Sequence, residues 1–205
     1  DLMNNDGAPD AAEINLDEDI AVLQYTGGTT GQPKGAMLTH GNLSANVSQM
    51  HLWFPDLDPG HEKVLGVLPL FHVFAMTAVM NFAVATGTEM ILLPRYELEQ
   101  TLKAITKKLP TLFPAVPTIY TSINNAPNLQ KYDLSTIRYC ISGGAPLPLE
   151  VKNRFEQLTG CRLVEGYGLS ECSPVATCNA MQGINKENSI GLPVPGTELS
   201  IHDLD

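Results

Sequence analysis

The sequence predicts an α/β fold: a mostly parallel sheet with helices on both faces. Three observations predict it. Short apolar runs carrying β-branched residues alternate along the chain with longer segments of helical spacing. Glycine and proline fall where one kind of segment gives way to the next. The chain has 205 residues, 43% of them hydrophobic and 17% charged, which suits a domain with a real core and not a disordered segment.

The elements follow in order. Ile20 to Tyr25 reads as a strand, and Ala36 to Thr39 as a second short strand that closes a hairpin with it. Thr39 is placed to cap a helix running through Phe54. Val64 to Leu68 is a buried strand, and His72 to Ala85 a mostly apolar helix ended by Thr86-Gly87. Thr88 to Leu93 is a strand stopped by Pro94. Leu98 to Leu109 has helical spacing, with Leu98, Leu102, Ile105 and Leu109 on one face. Thr111 to Val116 reads as a strand broken by Pro114, and Pro117 opens another helix. Ile137 to Ile141 is a strand, Pro148 to Thr159 a helix ended by Gly160, and Leu163-Val164 starts the next strand.

Within this frame the run from Tyr25 to Gly35 stands out. Its eleven positions hold four glycines, three threonines and one lysine. Glycines let backbone N–H groups face an anion without a Cβ in the way, and hydroxyls and an ammonium add donors. Such a nest suits polyphosphate. It is not a Walker-type loop, because Pro33 precedes Lys34 and Gly35 follows it, where that loop needs Gly-Lys and then Ser or Thr. In doubly wound sheets ligands sit beyond the carboxyl ends of the strands. The loop, Ser142 to Pro146 and Gly166 to Glu171 all follow strands.

A net charge of −10 argues against a nucleic-acid surface. Seven acidic and no basic residues lie between Asp1 and Ile20, a solvated lead-in. The longest apolar stretch, Val73 to Ala85, is too short to span a bilayer. No signal or transit pattern is evident. The cysteines, Cys140, Cys161, Cys172 and Cys178, show neither Cys-x-x-Cys nor zinc spacing, so reduced thiols in the cytoplasm are expected.

The loop resembles the phosphate-binding loop of the adenylate-forming superfamily: acyl-CoA synthetases, peptide-synthetase adenylation domains and luciferases. Four further segments resemble that family in the same order: Leu68 to Phe74, Ser142 to Pro146, Glu165 to Glu171 (with Ser170 for the commoner threonine) and Ile190 to Gly196. Leu23 to Gly31 and Glu171-Cys172-Ser173-Pro174 are most similar to bacterial long-chain fatty-acid–CoA ligases. The resemblance implies a fragment of the large N-terminal domain of an acyl-CoA synthetase, with the lead-in over 1–19 and the central AMP-binding subdomain over 20–205, incomplete at both ends. It implies ATP, Mg²⁺ and CoA, a fatty acid as substrate, a cytoplasmic setting and, for a long chain, peripheral membrane contact. Family residues for ribose, and a catalytic lysine, would lie beyond Asp205, so these 205 residues are not expected to complete the reaction alone.

Residue by residue, the resemblance implies that Tyr25, Thr26, Gly27, Gly28, Thr29, Thr30, Gly31, Lys34 and Gly35 hold the β- and γ-phosphates. Glu171 would ligate Mg²⁺ with Thr26, and Ser170 would donate to the α-phosphate. Gly143, Gly144, Ala145, Pro146, Glu165, Gly166, Tyr167 and Gly168 would form the nucleotide pocket, with Tyr167 stacked on adenine. His72 and Val73 would sit where the carboxylate meets ATP, with Lys34, His72, Ser170 and Glu171 as the catalytic group. Phe74, Met76, Ala115, Val116 and Pro117 are candidates either for an acyl tunnel or for core. Two other readings stand beside this one: a nucleotide-binding module inactive by itself, and an adenylation domain loading a carrier protein.

Overall fold

The computed structural model describes residues 12–26 and 33–203. Strand β3 (Lys63–Gly66) pairs in parallel with β4 (Glu89–Leu92), and β5 (Tyr139–Ser142) pairs in parallel with β6 (Arg162–Gly168). The segment between the two pairs is the predicted strand from Thr111 to Val116. It is reduced to single bridges, Leu112 to Val64 and to Tyr139, and Ala115 to Ser142. Pro114 carries no N–H for a regular ladder there. The N–H groups of Phe113 and Ala115 still reach the carbonyls of Tyr139 and Ile141, both at 3.0 Å. The parallel order is therefore β4, β3, residues 111–115, β5, β6.

The parallel run ends at β6. β7 (Val175–Cys178) and β8 (Leu192–Pro193) add antiparallel to it, an extension not read from the sequence. The expected hairpin, β1 (Ile20–Thr26) with β2 (Lys34–Thr39), is antiparallel and forms its own sheet.

Strand side chains alternate between two cores, as a period of two requires. Leu65, Phe113, Cys140 and Leu163 face α4 (Leu98–Lys108), α5 (Pro117–Asn124) and α6 (Leu149–Thr159), meeting Leu102, Ile105, Ile119, Ile123 and Phe155. Val64, Leu112, Tyr139, Ile141 and Val164 face α1 (His40–Trp53) and the helical run after His72, meeting Met50, Ala78, Val79 and Phe82. Helices thus cover both faces.

Local chemistry explains the helix ends. Thr39 and Asn42 make a capping box at α1, each side-chain oxygen accepting the other's backbone N–H at 3.2 and 3.1 Å. Such a cap contributes about 1 kcal/mol. Pro117 opens α5, and Gly160 ends α6 in the left-handed region. The helix expected from His72 to Ala85 is not uniform: α2 (Val73–Ala75) passes through a π-helical segment, Met76–Asn81, into α3 (Phe82–Thr86). Leu109 also departs from the reading. It caps α4 at φ 57° and is exposed, while Leu102 and Ile105 are buried.

Candidate active site

The carboxyl ends of β5 and β6 open onto a crevice. The turn after β5 brings in Gly143 and Gly144, the end of β6 brings in Gly166, Tyr167 and Gly168, and the start of α2 brings in His72. Together with Val73, Phe74, Ile141 and Ser170 they wall a cavity of about 200 Å³. A second cavity, about 280 Å³, adjoins it and is lined by Ala145, Pro146, Glu165 and Ile190 with Gly144, Gly166, Tyr167 and Gly168. The last four residues are common to both. Three segments distant in sequence therefore meet beyond the carboxyl ends of parallel strands, where open α/β sheets bind ligands.

Two glycines are required by this geometry. Gly144 has φ 80°, which lets the chain turn sharply out of β5. At Gly168 a Cβ would lie 2.1 Å from the carbonyl oxygen of Pro174, so β6 can approach the turn before β7 only without a side chain.

His72 is exposed and is not a packed core residue. Its Nδ1 accepts the backbone N–H of Phe74 at 3.2 Å, capping α2. In a neutral ring the proton is then on Nε2, which is left able to donate to a ligand. Ser170 and Glu171 lie in a 3-10 turn, Ser170–Cys172, with Glu171 exposed. Burial raises the Glu165 carboxyl above its ordinary value, and a hydrogen bond from the Leu147 backbone partly offsets this. Tyr167 is half exposed and lines both cavities.

The phosphate-loop candidates are placed differently. Tyr25, Thr26, Lys34 and Gly35 sit at the loop end of the hairpin and line neither cavity. The Thr26 hydroxyl donates to the Lys34 carbonyl at 3.3 Å, and the Tyr25 ring lies over Gly35. β2 runs beside the Ser170–Cys172 turn, which brings the hairpin near the segment that carries Glu171. Gly27, Gly28, Thr29, Thr30 and Gly31 lie outside the described residues. Among the described residues no group of three or more His, Cys, Asp or Glu gathers as a metal cage. Of the tunnel candidates, Phe74 lines the first cavity. Met76 is buried outside it, and Ala115 belongs to the core on the opposite sheet face. Val116 touches that core from the edge, with its Cγ1 3.6 Å from where a Gly144 Cβ would sit, and Pro117 is the first residue of α5.

Sequence reasoning missed the residues that hold the crevice together. Asn46, 3% exposed, clamps β7 by donating to the Val175 carbonyl at 2.8 Å and accepting its N–H at 3.1 Å. The Trp53 indole donates to the Asn179 carbonyl at 2.9 Å. Thr77, fully buried, donates to the Ser173 carbonyl at 2.8 Å. The available signal was a polar residue on a buried helix face, next to Val47 and Met50 in the case of Asn46. Its partner, 129 residues away, carries no local signature.

A mixed sheet with a two-chambered crevice at its carboxyl edge, bordered by glycine turns, is the architecture of an open α/β ligand-binding domain. The family model described as "AMP-binding enzyme" matches residues 2–205, and the chain belongs to that family. It is 56% identical over 190 residues to the long-chain-fatty-acid–CoA ligase of Bacillus subtilis (strain 168), covering 93% of this chain and 34% of that protein. The anthranilate CoA ligase AuaEII, solved in complex with anthranoyl-AMP, superposes with a TM-score of 0.88 at 27% identity, covering 96% of this chain and 38% of that one. A long-chain-fatty-acid-CoA ligase (FadD1) from Archaeoglobus fulgidus superposes with a TM-score of 0.78 at 26% identity, covering 89% and 38%. The chain spans about a third of the length of the curated relatives it matches.

Proposed function

We propose that this chain supplies the ATP- and acyl-binding region of a long-chain fatty-acid–CoA ligase. The acid's carboxylate attacks the α-phosphorus of ATP, giving acyl-AMP and pyrophosphate, and the thiol of CoA then attacks the acyl carbon, giving acyl-CoA and releasing AMP and a proton. The observation that carries the proposal is the convergence of His72, the Gly143–Gly144 turn, Tyr167 and Ser170 on one cavity. That chamber has room for a reacting carboxylate and phosphate, and its neighbour, walled by Ala145, Pro146 and Tyr167, for a base.

In this reading Tyr167 stacks on adenine and the glycine turns let the base approach the backbone. Ser170 donates to the α-phosphate, and His72 orients the carboxylate through Nε2–H. Lys34 neutralises phosphate charge from the hairpin, and Tyr25 through Gly31 and Gly35 supply further donors to the β- and γ-phosphates. Phosphoryl-type transfer needs this neutralisation more than it needs a nucleophilic side chain. Mg²⁺ favours one or two carboxylates plus phosphate oxygens over an all-protein cage. The exposed Glu171 carboxylate, which has no ion-pair partner among the described residues, fits that donor set. Bound there, the ion would supply charge compensation at the phosphates, with Thr26 as a further ligand. The setting proposed is the cytoplasm, with transient contact at a membrane that donates the acid. No helix of the described residues is long and apolar enough to cross a membrane.

The test is palmitate-dependent exchange of labelled pyrophosphate into ATP. Wild-type protein expressed from its natural coding sequence is expected to catalyse it. Lys34→Ala and Glu171→Gln are expected to lose on the order of 10²-fold or more, as when a charge-stabilising group is removed. Exchange with no dependence on any carboxylic acid would sink the proposal.

A further inference from the structure

Ser170 and Glu171 ride on a turn that is braced within itself. The Leu169 N–H donates to the Pro174 carbonyl at 3.1 Å, the Cys172 N–H to the Leu169 carbonyl at 2.9 Å and the Ser173 N–H to the Ser170 carbonyl at 3.3 Å. These bonds fix the shape of the turn but not its place. Two buried side chains from the helical layer hold it in place. Asn46 of α1 takes both backbone groups of Val175, just beyond the turn. Thr77, on the π-helical segment, holds the turn itself through the Ser173 carbonyl at 2.8 Å. Thr77 is 0% and Ser173 3% exposed, so water does not compete for that bond. His72 hangs from the same helical run. The Met76 N–H donates to the His72 carbonyl at 2.9 Å, and the Phe74 N–H to His72 Nδ1 at 3.2 Å, so the imidazole is held to the run that carries Thr77. His72 and Ser170 wall the same cavity, and the Thr77 hydroxyl bonds the two segments that present them.

Resting on the ligase reading of the site, we propose that Thr77 is a positioning residue for adenylation: its hydroxyl, acting through Ser173, sets where the α-phosphate at Ser170 lies relative to the carboxylate at His72. Thr77 is fully buried and lines neither cavity, so it acts on the reaction only through the turn. Attack on phosphorus needs the reacting atoms about 3–3.5 Å apart and aligned, and a misplacement of about 1 Å costs on the order of 10²-fold. Without the bond each half of the site still takes its own substrate. What is lost is the alignment of the two halves.

The test uses the protein as expressed from its natural coding sequence, as wild type, Thr77→Val and Thr77→Ser. Palmitate-dependent pyrophosphate exchange gives kcat and KM. Calorimetry gives the dissociation constants of Mg·ATP and of palmitoyl-sulfamoyl-adenosine, a stable ligand that joins both halves of the adenylate in one molecule. Thr77→Val is expected to lower kcat on the order of 10²-fold with KM unchanged, the signature of an interaction realised only in the transition state. It is expected to leave the Mg·ATP constant unchanged and to weaken the joined ligand about tenfold or more, because such a ligand loses when the geometry no longer lets it engage both sites at once. A merely structural role would reduce the amount of folded protein, which moves neither dissociation constant. Thr77→Ser keeps the hydroxyl and should restore all three readings. Thr77→Cys, similar in size with a weak donor, should fall between them, and it replaces valine if that variant does not fold. Equal weakening of both ligands, or no weakening of either, would overturn the proposal. No exchange by wild type would instead sink the ligase reading on which it rests.

Discussion

The hydroxyl of Thr77 donates to the carbonyl oxygen of Ser173 over 2.8 Å, tying the π-helical segment to the turn that carries Ser170 and Glu171. Both residues are buried. Replacing Thr77 with valine keeps the shape and strands the carbonyl. A loss of about 1–3 kcal/mol is expected, the cost of an unsatisfied buried polar group. The urea midpoint should fall with an unchanged slope.

His72 offers a way to separate a cap from a reacting group. His72→Asn retains a side-chain acceptor for the Phe74 N–H but removes Nε2–H. The asparagine variant is expected to melt near wild type and to lose adenylate formation. His72→Ala is expected to lose about 1 kcal/mol of stability as well. Equal activity of the asparagine variant and wild type would assign His72 to structure alone.

Gly168→Ala is expected to be among the most damaging single methyl additions to the crevice. The new Cβ would meet the Pro174 carbonyl at 2.1 Å, a backbone atom that cannot swing aside as a side chain can. The β6–β7 register must shift, so the thermal midpoint should drop and ATP binding should weaken. Gly160→Ala is the control: its Cβ would enter open space, although its φ of 76° still carries a local cost.

The thiols predict an order of reactivity. Cys140, Cys161 and Cys178 are buried and Cys172 is exposed. Burial pushes Cys178 up to about 12 and raises Cys140 well above the usual thiol range. Cys172 should therefore react first with Ellman's reagent in the native protein, with the other three appearing on unfolding. The sign of the linkage follows. A thiol raised in the fold contributes stability that is fully present below its unfolded value, and for Cys178 it is lost as pH rises from there through about 12. Cys178→Ala should flatten that alkaline loss.

Glu165 works at the other end of the scale. Its carboxyl is raised by burial, so the native state holds the proton more tightly than the unfolded chain does. Stability contributed by the protonated form is lost as pH climbs from the ordinary carboxylate value through the raised one. Glu165→Gln should remove that slope and stabilise the protein at neutral pH, measured by denaturation across the acidic range.

What the sequence displayed depended on range. Caps and stops act over four residues or fewer, so Thr39, Gly87, Pro117 and Gly160 could be placed from the chain alone. The short apolar runs of β3, β5 and β6 were likewise local, and with the helices between them they gave the parallel sheet. The π-helical segment was not legible, because Met76 to Asn81 carries no proline or glycine to mark a change of pitch. The antiparallel turn into β7 and β8 was hidden because short strands do not display direction. At the site, the glycine turns and His72 were named through the resemblance of their motifs to the adenylate-forming family, whereas Asn46, Trp53 and Thr77 act on carbonyls and amides, which every residue possesses.

The Asn46–Val175 clamp also has a calendar. Its two halves leave the ribosome 129 residues apart, about ten seconds at typical synthesis rates. For that interval the Asn46 amide lacks the Val175 backbone groups it bonds in the fold, even as Met50 finds Ala78 and Phe82 to pack on. A nascent chain stalled before β7 therefore presents that amide unpaired beside Val47.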